Sequence, residues 1–207
     1  GRWSECASEV LKQRALRNQK AKAEQAEEQG AETTYENEIE LPQICSENDF
    51  IYPISEPYIF ENIAIIGTVG WYDYSLRDQR LDLKYFISDY NVGEFDNIYW
   101  SDFISSVWLV DRNNSDWKSR SKKLKNHEVF QKVFNQFNDV FVKLPSKISD
   151  IILAMHTAPY GNCIIRKDEP DPFDAYEGSD KYMKYLENNL NNRKVLIICG
   201  HKHKKLE

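Results

Sequence analysis

Two unbroken apolar runs constrain this chain more than any other feature. DIILAMH (150–156) and KVLIICGH (194–201) are each long enough for one strand, and neither alternates apolar with polar residues. Strands of that kind are buried on both faces, as in the parallel sheets of α/β domains. Between the runs lies an irregular stretch rich in Pro, Gly and Asp, and then a helical pattern. Ser179 can cap that helix, and Tyr182, Met183, Leu186 and Leu190 share one of its faces. Strand, crossover helix and strand predict a parallel pair with both faces covered. Ligands of such sheets gather beyond the carboxyl ends of the strands, where His156 and His201 fall.

A third run, NIAIIGT (62–68), predicts another buried strand, and the loop GWYDYSLRD (70–78) that follows it is dense in aromatic and polar groups. The clearest helix spans 121–143: Val129, Phe130, Val133, Phe134, Phe137, Val140, Phe141 and Leu144 recur at steps of three and four, and Pro145 stops it. Residues 101–110 also read as helix. The stretch from Tyr35 to Phe60 reads as strand interrupted by Pro42, Pro53 and Pro57. Residues 1–35 form a separate segment. Its helix-forming run over residues 3–29, with Ser4 as a possible cap and Gly30 just past its end, carries Trp3, Ala7, Val10 and Leu11 on one face near its start, a solvated helix or one that binds a partner.

Charge narrows the functional classes. The 27 Lys and Arg against 33 Asp and Glu give a net charge of -6, which argues against gripping nucleic acid or anionic lipid by bulk charge. No run approaches the ~20 apolar residues of a membrane span, and the first thirty residues lack the apolar core of a secretory signal. The four cysteines (Cys6, Cys45, Cys163, Cys199) include no C-x-x-C pair and read as reduced thiols of a cytoplasmic protein.

Three of the four histidines are placed for chemistry. His156 ends one strand; His201 and His203, one residue apart, project to the same side of an extended segment at the end of another. Neutral imidazole is the commonest metal ligand. His127 sits off the apolar stripe of its helix and reads as a surface residue. The tail HKHKKLE is also simply lysine-rich, and Leu206-Glu207 resembles a cloning scar.

MHTAP (155–159), GHKH (200–203), GTVGWYDYS (67–75) and DPFDAYEGS (171–179) together resemble the later motifs of the calcineurin-like metallophosphoesterases, over residues 36–205. The resemblance implies part of a four-layer α/β sandwich, here preceded by the N-terminal helix. It implies two divalent ions (Mn, Fe, Zn or Ni) at the strand ends and hydrolysis of a phosphate mono- or diester by a metal-activated water. His156 and His201 would bind one metal and His203 the other. Asp73 and Tyr74 would lie beside the pocket and touch substrate, and Asp168, Glu169, Asp171 and Asp174 read as a solvated acidic loop.

The family's Asp-x-His, its Gly-Asp-x-x-Asp with the bridging aspartate, and its Gly-Asn-His-Asp/Glu with the catalytic histidine have no counterpart here. No catalytic residue is therefore assignable, and the domain reads as incomplete. Three imidazoles without the bridging carboxylate would hold one ion or none. The alternative is a fragmentary or inactive relative that acts as a binding module. With the first strands absent, a sheet edge or face should be bare, predicting self-association or a covering partner such as the missing N-terminal segment.

Overall fold

A computed structural model describes residues 36–87, 94–95, 98–99, 108 and 124–200. The predicted helices at 1–35 and 101–110, the first turn of the 121–143 helix, and His201 and His203 lie outside these residues.

The elements run, in chain order, as α1 (Leu41–Glu47), β1 (Tyr58–Phe60), β2 (Ile63–Thr68), α2 (Lys84–Ile87), β3 (Glu94–Phe95), β4 (Ile98–Tyr99), α3 (Asn126–Val142), β5 (Asp150–Met155), α4 (Asp180–Asn189) and β6 (Lys194–Cys199). A mixed four-stranded sheet has the order β1-β2-β5-β6; β3 and β4 form a separate antiparallel pair. β2 pairs parallel with β5, and β5 parallel with β6, in the register Met155 opposite Cys199. The three apolar runs are thus adjacent parallel strands, and only β1 runs antiparallel. The fold is α/β.

One expectation changes at the start. Residues 36–47, read as interrupted strand, are a π-helical turn (Glu36–Glu40) running into α1. Pro42 sits in the first turn of α1, where its missing N–H would have found no partner anyway, so the proline that excludes a strand suits a helix start.

One face of the sheet is covered as the sequence requires. Ala64, Ile66, Ile151 and Leu153 point into a core closed by α3, which buries Val129, Phe130, Val133, Phe137, Val140 and Phe141. Each such side chain contributes roughly 1.5–3 kcal/mol relative to leaving it in water. α4 adds Tyr182 and Leu186, both fully buried, and its start is capped by Ser179, whose Oγ accepts from the Lys181 N–H at 3.1 Å. Tyr182 meets Phe130, Phe134 and Phe137 within 5.3–5.9 Å, which ties α4 to α3.

The opposite face is open. Register places Tyr58, Ile65, Ile152 and Leu196 in one row across the sheet, with Gly67, Ala154 and Ile198 in the next row on that face. Phe60, Leu196 and Ile198 keep 58%, 59% and 55% of their surface exposed. Among the described residues, one corner is filled: Pro53 and Ile54 lie 3.2 Å from where a Cβ on Gly67 would stand. The expectation that both faces are covered is thus corrected, while the bare face anticipated from the absent strands is present among the described residues.

Candidate functional site at the strand ends

The loops after β2 and β5 meet at the carboxyl edge of the sheet. Gly70, at φ +68°, comes so close to Thr157 that a Cβ would stand 2.2 Å from its Oγ1, so only glycine fits there. The Gly70 N–H is held by Thr68 Oγ1 at 3.1 Å. After Pro159 the chain turns, and Ala158 pairs back with the 177–179 segment. The Ala158 N–H donates to the Glu177 carbonyl at 2.8 Å, and the Ser179 N–H to the Ala158 carbonyl at 3.1 Å.

His156 is exposed at this edge, immediately beyond β5. The last ladder contact of β6 lies beside it: the Gly200 N–H donates to the carbonyls of Met155 (3.3 Å) and His156 (3.2 Å). His156 Nδ1 lies 3.6 Å from the position a Gly200 Cβ would take. The structure therefore places Gly200, the residue before His201, against the His156 ring. Among the described residues, no three His, Cys, Asp or Glu side chains converge to hold an ion. Of the three histidines implied as ligands, the described residues contribute His156 alone.

Asp73 is engaged elsewhere. Its side chain is 8% exposed; Oδ1 accepts from the Ser75 N–H (3.1 Å) and hydroxyl, and Oδ2 is paired with Lys181 Nζ at 3.2 Å. Ser75 Oγ in turn accepts from the Asp180 N–H at 3.0 Å, so this network pins the loop to the start of α4. Tyr74, at φ +64°, turns its ring into the core, stacked on Phe86 at 5.7 Å and edge-on to Tyr176. Its hydroxyl accepts from Asn126 Nδ2 at 2.9 Å, while Tyr72 OH donates to Asn126 Oδ1 at 3.2 Å. Burial raises the Tyr74 hydroxyl pKa against the pull of that bond. The aromatic rings of this loop pack into the core.

The acidic loop is only partly solvated. Asp168 and Glu169 are exposed, but Asp174 is buried, with its Oδ2 3.1 Å from Arg166 Nη1, and Asp171 caps the Phe173 N–H at 3.0 Å. A second clamp lies nearby. The Arg80 guanidinium forks onto Asp78, holding its carboxyl down to about 2, and donates to the Asp168 carbonyl at 2.6 Å. A cavity of about 460 Å³ opens between the 36–55 segment and α3, lined among others by Glu38, Tyr52, Trp108, Lys132 and Asp139. Its walls do not include His156.

One constellation was missed by the sequence reading. Burial, then the nearby Cys199 thiol, raises the pKa of Cys163. Wide separation along the chain hides the pair; the only available signal was that Cys199 ends a strand beside the one that leads into Cys163. No protein-family profile, curated protein or solved structure matches the chain.

Proposed function

We propose that this chain is the later part of a metal-dependent phosphoesterase of the calcineurin-like type, supplying His156, His201 and His203 as metal ligands. One observation carries the reading. His156 stands at the carboxyl end of a central parallel strand, and the Gly200 N–H, one residue before His201, bonds to its carbonyl. That juxtaposition is what a site built from both strand ends requires. When bound, a pair of ions in the complete domain would supply Lewis acidity and an activated water. This chain's own part is to offer neutral imidazoles from a rigid edge. A mono- or diester is the substrate class; the four-layer sandwich is the architecture the reading requires.

The open sheet face supports the same reading. Parallel sheets are found with both faces covered, and here one lacks its layer among the described residues. A polypeptide bringing the bridging aspartate and the catalytic histidine would pack on it.

The test is complementation. The purified chain with added manganese should turn over a chromogenic phosphodiester barely or not at all. Co-expression with the segment encoded upstream of Gly1 should restore turnover, and His201→Ala should then abolish it. Robust activity from the chain alone would overturn the shared-site reading, and no activity with the added segment would favour a binding module.

A further inference from the structure

The cavity between the 36–55 segment and α3 takes no part in the site at the strand ends. Its volume of about 460 Å³ is that of a small-molecule pocket. At the ~30 Å³ that a water takes in the liquid, it has room for about fifteen waters, or a ligand of about a dozen non-hydrogen atoms with a few waters left. Ile54, Val69, Val140 and Trp108 give it apolar walls, the last two buried. One flank of α3 gives the polar wall. Lys132, Gln136, Asp139 and Lys143 recur there at steps of three and four, over about 16 Å of helix and its last turn. At one end of this wall the charges cancel: Lys132 Nζ lies 2.5 Å from Glu38 Oε1 and 6.0 Å from the centre of the Trp108 ring. At the other end Asp139 and Lys143 stand one turn apart and exposed, and neither has an ion pair among the described residues.

We propose that this cavity binds a free α-amino acid with a large apolar side chain. Charge complementarity selects the class. One anion and one cation are left to meet a ligand, so a simple acid or a simple amine would face one attractive and one repulsive neighbour. A zwitterion can satisfy both. Its ammonium and carboxylate sit on one carbon, and side chains one helical turn apart have Cβ atoms about 5–6 Å from each other, so Asp139 takes the ammonium and Lys143 the carboxylate. The apolar side chain then enters between Ile54, Val69, Val140 and Trp108, where its surface leaves water. Exposed charges contribute little each, so the apolar walls supply most of the affinity and the two charges the selectivity. The inference does not depend on the phosphoesterase reading, since none of the proposed metal ligands lines the cavity.

The experiment is isothermal titration calorimetry of the full chain with L-phenylalanine, with 3-phenylpropionate, which lacks the ammonium, and with phenethylamine, which lacks the carboxylate. L-phenylalanine should bind at a single site with a Kd of about 1 mM or tighter, and each truncated probe about fivefold or more weakly. Asp139→Asn should weaken L-phenylalanine by about fivefold yet strengthen 3-phenylpropionate, because it removes the anion that repels it. Lys143→Gln should weaken L-phenylalanine likewise and strengthen phenethylamine. A variant that merely loosened the fold would weaken every probe. Both side chains are exposed, and the three titrations of the unsubstituted chain need no variant to fold. No binding of L-phenylalanine at about 10 mM, a truncated probe that binds as tightly as the amino acid, or variants that leave L-phenylalanine unaffected would each overturn the proposal.

Discussion

Gly178 offers the sharpest test of how the strand-end loops are held. A Cβ placed there would stand 2.0 Å from the Ala158 carbonyl oxygen, 2.7 Å from its nitrogen and 2.9 Å from its carbonyl carbon. All three are backbone atoms, so no flexible side chain can yield. Gly178→Ala must therefore push the two segments apart and break the bonds between Ala158 and Glu177 and between Ser179 and Ala158. These segments are buried, so each broken bond leaves groups unsatisfied at about 1–3 kcal/mol. Two bonds with partial relaxation give an expected loss of about 3–5 kcal/mol, a large part of the stability of any small domain. Gly161→Ala is the control. Its Cβ would meet only the Arg166 Nη2, at 4.0 Å, so it should change stability by under about 0.5 kcal/mol. Urea unfolding followed by tryptophan fluorescence reads both. A Gly178→Ala midpoint within about 1 kcal/mol of the unsubstituted chain would refute the packing argument, since it would mean that the two backbones are not in contact.

Asp78 carries a pH dependence. Its carboxyl is lowered from 3.8 to about 2 by Arg80, so its contribution is present above pH ~4 and is lost as pH falls toward 2. Arg80→Met should return the Asp78 carboxyl to the ordinary range, read by NMR titration; an unchanged value would sink the assignment. The open face predicts self-association of the chain alone, and Leu196→Glu with Ile198→Glu should abolish it in sedimentation velocity at little cost in stability, because both side chains are already more than half exposed. A sedimentation coefficient that does not change on substitution would show that the face is not the contact. Metal uptake by the isolated chain should stop at one weakly held ion. Two unit charges ~4 Å apart repel by about 4 kcal/mol at an effective dielectric near 20, fourfold more for divalent ions, with no bridging carboxylate to offset it. Mass spectrometry after dialysis against manganese would refute this by finding two.

Period and run length made the frame legible in the sequence. The three apolar runs became β2, β5 and β6 almost residue for residue, and the apolar stripe of α3 faces the sheet because steps of three and four leave it no other face to bury. What could not be read was the partnership of loop residues. A polar, aromatic loop after a buried strand points to a site at Asp73 and Tyr74, but the sequence says nothing of what these side chains touch. Their actual partners, Lys181 and Asn126, sit on helices far along the chain, and nothing local announces them. The same holds for Asp174 with Arg166, where a charge that reads as solvated is buried by its ion pair. Residues 36–47 failed for a different reason. Proline excludes a central strand and a helix interior alike but permits a helix start, which is where Pro42 sits.

The open face and the motifs missing from the sequence have a common explanation under the proposed reading. A parallel strand is apolar on both sides because something covers both sides, and β6 is apolar from Val195 to Cys199 while Leu196 and Ile198 face water. Exposing such a face contributes nothing to folding, so its chemistry makes sense only if a second layer packs there. The motifs absent from the sequence, the bridging aspartate and the catalytic histidine, belong by resemblance to the strands of that layer. A single polypeptide layer would therefore bury the face and carry those groups to the same edge where His156 and Gly200 meet. The two effects separate experimentally. Leu196→Glu with Ile198→Glu should weaken docking of the added segment and, through it, turnover, while leaving every proposed ligand of this chain in place. If the double variant docked normally and turned over at the full rate, the face and the site would be unrelated, and the layer argument would fail.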